Sequence, residues 1–166
     1  MELLQLREKE VFETLKRIKN RKFVLIGGYA VNAYTLPRFS VDCDIVVEDK
    51  ATTAKIEKEL KKISYIRATD TGLVLHHEDF LKYEKIIKKN FIVSFDILIK
   101  NVYDRQTRAV FSAEWVFKNS AIRTLKGKTI PEELKLRIVN PDALVVMKFV
   151  SCRNADIRDV FMLIPQ

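Results

Sequence analysis

The stretch Phe91-Ile-Val-Ser-Phe-Asp-Ile-Leu-Ile99 constrains this chain most. Nine residues, almost all apolar and rich in β-branched and aromatic side chains, read as a buried strand. A strand of this kind needs neighbours on both edges and cover on its faces, so it implies a sheet with helices packed against it. By alternation Phe91, Val93, Phe95, Ile97 and Ile99 share one face, and Ile92, Ser94, Asp96 and Leu98 share the other. Asp96 is the anomaly. A carboxylate in so apolar a strand is costly unless it is paired or binds a metal.

The rest of the chain supplies the cover. Leu4, Val11, Leu15 and Ile18 recur at helical spacing within a charged helix over residues 1–19. Phe23–Ile26 predicts a short buried strand, and Tyr29–Tyr34 a short helix that cannot pass Pro37. Val41–Val47 predicts a second strand, and residues 51–63 a surface helix. Tyr65–Arg67 and Leu73–His76 are weaker strand candidates around the turn Asp70-Thr-Gly72, and residues 79–89 fit helix or strand. Further on come a helix around 112–118, a turn at Lys126-Gly127-Lys128, and a helix capped by Asn140 with Pro141 in its first turn, running past Lys148. This order predicts an α+β fold: one domain over residues 1–166, with its core at about 20–100 and a helical C-terminal portion at about 110–166.

Bulk properties narrow the function class. Across 166 residues, 48% are apolar, enough for a core. The formal charge of +8 suits anionic partners such as nucleotides or RNA, although Lys-rich solvated helices give the same total. The two cysteines, Cys43 and Cys152, form no CxxC pair, which argues against a structural zinc site and for a reducing compartment. No secretory leader or membrane-spanning run is legible, so the expected location is the cytoplasm, with no membrane partner.

Three features carry chemistry. Gly27-Gly28 stands between a strand and a helix, where bare backbone can approach a bulky anion and a helix start favours phosphate. Many strand-to-helix turns need glycine and bind nothing, so this pair alone is weak. Asp42 and Asp44, two apart on a strand, project to the same face. Two acids on a solvated strand are ordinary, but the apolar tail Ile45-Val-Val47 speaks against full exposure. Carboxylates held close together repel, and a divalent cation such as Mg²⁺ relieves that repulsion. If the strand of Asp96 lies beside that of Asp42 and Asp44, three carboxylates converge, enough for two metal ions.

Leu25-Ile-Gly27-Gly28 followed by Arg38-Phe-Ser40-Val-Asp42-Cys-Asp44 resembles the signature of the DNA polymerase β-type nucleotidyltransferase superfamily. Within it the chain is most like the AbiEii-type and minimal nucleotidyltransferases of toxin–antitoxin systems. The strong part of the likeness covers about residues 22–100. Near the end Lys148, Arg153, Asp156 and Asp159 follow the order of a second AbiEii-type motif, with Ala155 where a basic residue is usual. The larger C-terminal region of full AbiEii-type toxins is not found after Pro165-Gln166, so a minimal or truncated version is expected.

The resemblance implies a nucleotidyltransferase fold with a mixed central sheet flanked by helices. It implies that Gly27 and Gly28 bind a nucleoside triphosphate (NTP), while Arg38 and Ser40 read either as further contacts to the triphosphate or as solvated loop residues. Asp42 and Asp44 would hold Mg²⁺ (or Mn²⁺), with Asp96 as third ligand or as base, and Lys148 would contact phosphates. The implied reaction transfers a nucleoside monophosphate to a hydroxyl on a protein or RNA acceptor and releases pyrophosphate. A cognate toxin or antitoxin is the implied partner. The alternative is a non-catalytic module of the same fold that binds a partner protein or RNA. A basic RNA-binding domain with incidental acids ranks last, since no RNA-binding motif supports it.

Other residues read as structural. His76-His77 beside Glu78-Asp79 invites a metal site, but adjacent strand residues face opposite ways. Trp115 has Phe111 and Phe117 for company and belongs in the core. Lys61-Lys62 and Lys88-Lys89 read as solvated helix faces.

Overall fold

A computed structural model describes residues 2–68, 79–88 and 91–164. Its centre is a seven-stranded sheet in the order β3-β4-β5-β2-β1-β9-β8. The strands are β1 (Val24–Ile26), β2 (Asp42–Val47), β3 (Ile66–Arg67), β4 (Phe80–Lys88), β5 (Phe91–Ile99), β8 (Ser120–Leu125) and β9 (Leu134–Val139). Two neighbouring pairs are parallel, β2 with β5 and β1 with β9, and the rest are antiparallel, so the sheet is mixed. A separate ribbon joins β6 (Asn101–Tyr103) to β7 (Val110–Ser112). The helices are α1 (Leu3–Ile18), α2 (Gly27–Val31), α3 (Lys50–Lys62), α4 (Ala113–Lys118), α5 (Pro141–Ser151) and α6 (Asn154–Leu163). The α+β expectation, a mixed central sheet flanked by helices, holds.

β5 does what its composition demands. Val93, Phe95 and Ile97 are fully buried, beside Cys43 and Ile45 of the adjoining β2. Phe95 meets Tyr65 edge-on with ring centroids 5.6 Å apart. Thr14 of α1 donates to the Tyr65 hydroxyl at 3.3 Å, so α1 and the end of α3 close over this face. In α1, Val11, Phe12, Leu15 and Ile18 are buried, whereas Leu4 is exposed one turn before the core begins. In α3, Ile56 and Leu60 are buried and Lys61 and Lys62 face solvent. The N-cap Asp49 accepts the Thr52 amide at 2.6 Å.

Several local expectations need correction. Within residues 79–89, open between helix and strand, Phe80–Lys88 form β4, so Lys88 lies on a strand rather than a helix. β8 and β9 run through the portion expected to be helical, and β9 joins the central sheet between β1 and the edge strand β8. The alternation of β9 was legible: Leu134, Leu136 and Ile138 are buried while Lys135 and Arg137 are exposed. Asn140 precedes α5 but makes no capping bond, and its Oδ1 is buried without a partner. Trp115 packs on Phe111 at 5.2 Å, against the core as expected. Leu73–His76, the turn at Asp70 and the His76-His77-Glu78 run lie outside the described residues.

Candidate active site

The parallel pairing of β2 and β5 sets Asp42 opposite Ser94 and Asp44 opposite Asp96. Cys43 and Phe95 turn into the core, so the three carboxylates share the opposite face. The strand adjacency on which convergence depended is present. Asp42 accepts a hydrogen bond from Ser94 Oγ. Asp96 Oδ1 is buried without a hydrogen-bond partner. Burial, followed by the charges of Asp96 and Asp42, pushes the Asp44 carboxyl up to about 7, tempered by Lys148 and Arg153. Burial likewise pushes Asp96 up to about 6, against the pull of Lys82.

Gly27 ends β1 with φ +66, a conformation that L side chains resist. A Cβ there would sit 2.0 Å from Asp44 Oδ2, so the backbone and carboxylate touch only because glycine is present. A Cβ on Gly28 would sit 2.3 Å from Ser40 Oγ and 3.1 Å from an Arg38 guanidinium nitrogen. Gly27, Gly28, Ser40, Arg38 and Asp44 therefore form one contiguous wall. α2 begins at Gly27 rather than Tyr29 and has only five residues. Bare glycine backbone, more than a helix dipole, is what it offers an anion.

Arg38 and Lys148 both pair with acids of α6. The Arg38 guanidinium makes a two-pronged bond to Asp159, Nε at 2.7 Å and the other nitrogen at 2.5 Å. Its backbone is clamped by Asn32 in both directions, at 2.9 and 3.0 Å. Lys148 is 6% exposed and reaches Asp156 at 2.7 Å and Asp159 at 2.8 Å. Ser151 adds a 2.8 Å bond to Asp156. Burial raises the pKa of both acids, but these cations and donors outweigh it and hold Asp156 and Asp159 below the ordinary carboxylate value. Arg153 is mostly exposed and pairs with Asp104 at 3.5 Å.

Sequence reasoning missed two neighbours of the carboxylates. Lys82 on β4 stands opposite Asp96, and Glu84 opposite Ser94. The Lys82 ammonium lies 3.7 Å from Asp42, 4.0 Å from Asp96 and 3.9 Å from Glu84. A strand reading of residues 79–89 puts Lys82 and Glu84 on one face and Leu81 and Tyr83 on the other, which was the available signal. With the side chains as they stand, no three acidic, His or Cys groups among the described residues close to metal-ligand spacing. The donor set itself fits a hard divalent cation: three carboxylates on one face, one with a free buried oxygen.

Residues 13–161 match the family described as nucleotidyl transferase AbiEii toxin, type IV toxin–antitoxin system. The chain belongs to this AbiEii nucleotidyltransferase family. It is also similar in fold to three solved structures. JHP933 from Helicobacter pylori matches at 17% identity and a TM-score of 0.57, covering 96% of this chain and 65% of that one. ANT(2″)-Ia in complex with adenylyl-2″-tobramycin matches at 11% identity and 0.56, covering 95% and 87%. The provisionally assigned nucleotidyltransferase from Thermotoga maritima matches at 14% and 0.55, covering 85% and 81%. No curated protein sequence matches significantly. AbiEii membership brings nucleotidyl transfer and a toxin–antitoxin context with it. No helix among the described residues is long and apolar enough to cross a membrane.

Proposed function

We propose that this AbiEii-family chain transfers a nucleoside monophosphate from an NTP to a hydroxyl of a protein or RNA acceptor, using Asp42, Asp44 and Asp96. The observation that carries the reading is the pairing of Asp44 with Asp96 beside the positive-φ Gly27, which opens one face of the sheet to a polyphosphate. Mg²⁺ or Mn²⁺ held by these carboxylates would supply charge neutralisation of the triphosphate and activation of the acceptor hydroxyl.

The chain's own groups do the rest. Gly27 and Gly28 leave room for phosphate oxygens against the backbone, and Ser40 offers a hydroxyl at the same wall. In the transfer, the acceptor oxygen bonds to the α-phosphorus and the bond to the pyrophosphate oxygen breaks. Asp96, with a buried oxygen that lacks a hydrogen-bond partner, is suited to take the hydroxyl proton. Lys148 acts from behind: buried on Asp156 and Asp159, it tempers the charge of Asp44 through space. Arg38, braced by Asp159 and Asn32, fixes the segment that carries Ser40.

The test is isothermal titration of the four NTPs with Mg²⁺, on wild type and on Asp44→Asn. Binding that needs both the metal and Asp44 supports the reading and identifies the base. If no NTP binds, the reading falls. Phe149 on α5 and Phe161 on α6, 74% and 73% exposed, favour a second reading as a partner-binding module. Under that reading a cognate antitoxin binds equally well after Asp44→Asn.

A further inference from the structure

Among the described residues Lys82 is the cation that ion-pairs with the carboxylate face, and neither the sequence motifs nor the proposed chemistry use it. β4 delivers it by antiparallel pairing, with Lys82 directly across from Asp96. Leu81 and Tyr83 on either side are buried, which holds this part of β4 in register and keeps the Lys82 stem on the acidic face. Its ammonium reaches carboxylates on three adjoining strand positions, Asp42, Asp96 and Glu84, at 3.7–4.0 Å. All three separations are longer than a hydrogen bond. The ammonium is thus shared among the acids rather than locked to one, unlike Lys148, whose contacts are 2.7 and 2.8 Å.

We infer that Lys82 is the internal counter-cation of the carboxylate face: it fills the charge position of a divalent ion in the metal-free protein and sets how tightly such an ion binds. The inference rests on the metal reading proposed above. Three acids on one face repel one another, and a single ammonium among them relieves part of that repulsion. A divalent ion entering the same face meets the ammonium as a like charge, so the two compete for Asp42 and Asp96. Lysine suits an exchange of this kind. Its charge rides on a flexible four-carbon stem, and its side chain is 29% exposed, so it can swing toward solvent while β4 stays in place. The open spacing of the acids around Lys82 is the state from which they close on the incoming ion.

The test is Mn²⁺ affinity by calorimetry or electron paramagnetic resonance, with the melting temperature of the metal-free protein read alongside. Lys82→Met should bind Mn²⁺ about tenfold more tightly, the size of a unit charge acting on a divalent ion roughly 6 Å away in water. It should also melt lower when metal-free, because the acids lose their counter-charge. Lys82→Gln repeats the measurement should the Met variant fail to fold, and Lys82→Arg, which keeps the charge, should stay near wild type. Equal or weaker Mn²⁺ binding in the Met or Gln variant, with wild type binding normally, overturns the role of Lys82 and leaves the metal reading standing. No Mn²⁺ binding in any of these proteins overturns the metal reading and this inference with it.

Discussion

Asp44 and Asp159 belong to two clusters of aspartates, and their surroundings drive them in opposite directions. Asp44 shares its face with Asp42 and Asp96 and is pushed up to about 7. Asp159, 1% exposed, is more enclosed, yet it is held below the ordinary value because Arg38 and Lys148 both bond to it. The α5–α6 cluster is saturated: two acids, two cations and the Ser151 hydroxyl satisfy one another. The sheet cluster is under-compensated, with Lys82 held at a distance and one oxygen of Asp96 without a hydrogen bond. The same side chain serves as structural cement in one place and as stored electrostatic demand in the other. The saturated cluster braces the wall of the demanding one, through Arg38 beside Gly28 and Ser40.

The largest effect should come from exchanging these roles. Asp159→Ala leaves Lys148 and Arg38 without their shared partner and should cost about 3–5 kcal/mol of stability. Asp44→Asn removes a carboxylate that the fold disfavours and should stabilise the metal-free protein by about 2 kcal/mol at pH 8. Denaturant unfolding of both variants checks the comparison. Equal destabilisation by the two would break it.

Next is the glycine wall. Gly27→Ala forces a Cβ into a φ of +66 and into Asp44 Oδ2, and should cost about 2 kcal/mol as well as displacing the carboxylate. At Gly28 the obstacle is the movable end of Ser40, so Gly28→Ala should cost less. Paired thermal melts read the difference, and Mg²⁺-dependent NTP binding should fail more completely in the first variant.

The pH dependence follows from the same contrast. Asp44 titrates near 3.8 when unfolded and near 7 when folded. Between those values the folded protein keeps a proton that the unfolded chain has released, so stability falls as pH rises from about 4 to about 7. Asp96, raised to about 6, acts in the same sense. Asp156 and Asp159, lowered, contribute stability that is present above 3.8 and is lost as pH falls below it. The metal-free protein should therefore be most stable near pH 4 and lose stability progressively toward pH 8. Mg²⁺ should restore that loss at pH 8 and do little at pH 5, where Asp44 and Asp96 hold protons. Melting curves across pH, with and without Mg²⁺, test both statements.

How legible was this in the sequence? Asp42, Asp44 and Asp96 were, because strand alternation assigns a face from the sequence alone, and β5 was the plainest strand in the chain. Gly27 and Gly28 were legible as a place of close approach, but not as the wall against Asp44 and Ser40, which depends on the turn's φ. Lys82 was hidden because residues 79–89 fitted either period, and only the strand period puts it on the acidic face. The Arg38–Asp159 bond joins residues 121 positions apart, beyond the reach of local patterns. β9 reads as an alternating strand once it is seen, but its place beside β1 is a tertiary fact.

The smallest expected effect tests whether the sheet cluster contains any deliberate support. Among the described residues Ser94 is the uncharged donor of that cluster, and its hydroxyl donates to Asp42 across the β2–β5 pair. Removing it leaves the face, the strand register and all the charges in place. Ser94→Ala should therefore change stability by about 1 kcal/mol, the usual net worth of such a bond. Its effect on metal should be larger in proportion, because a ligand held by a second group is already oriented: a loss of about tenfold in Mn²⁺ affinity is expected. If affinity is unchanged while stability drops, Ser94 only fills space, and the sheet cluster owes its geometry to the strands alone. If affinity falls and stability barely moves, the hydroxyl positions Asp42 for its ion, and the two clusters are closer in design than their electrostatics suggest.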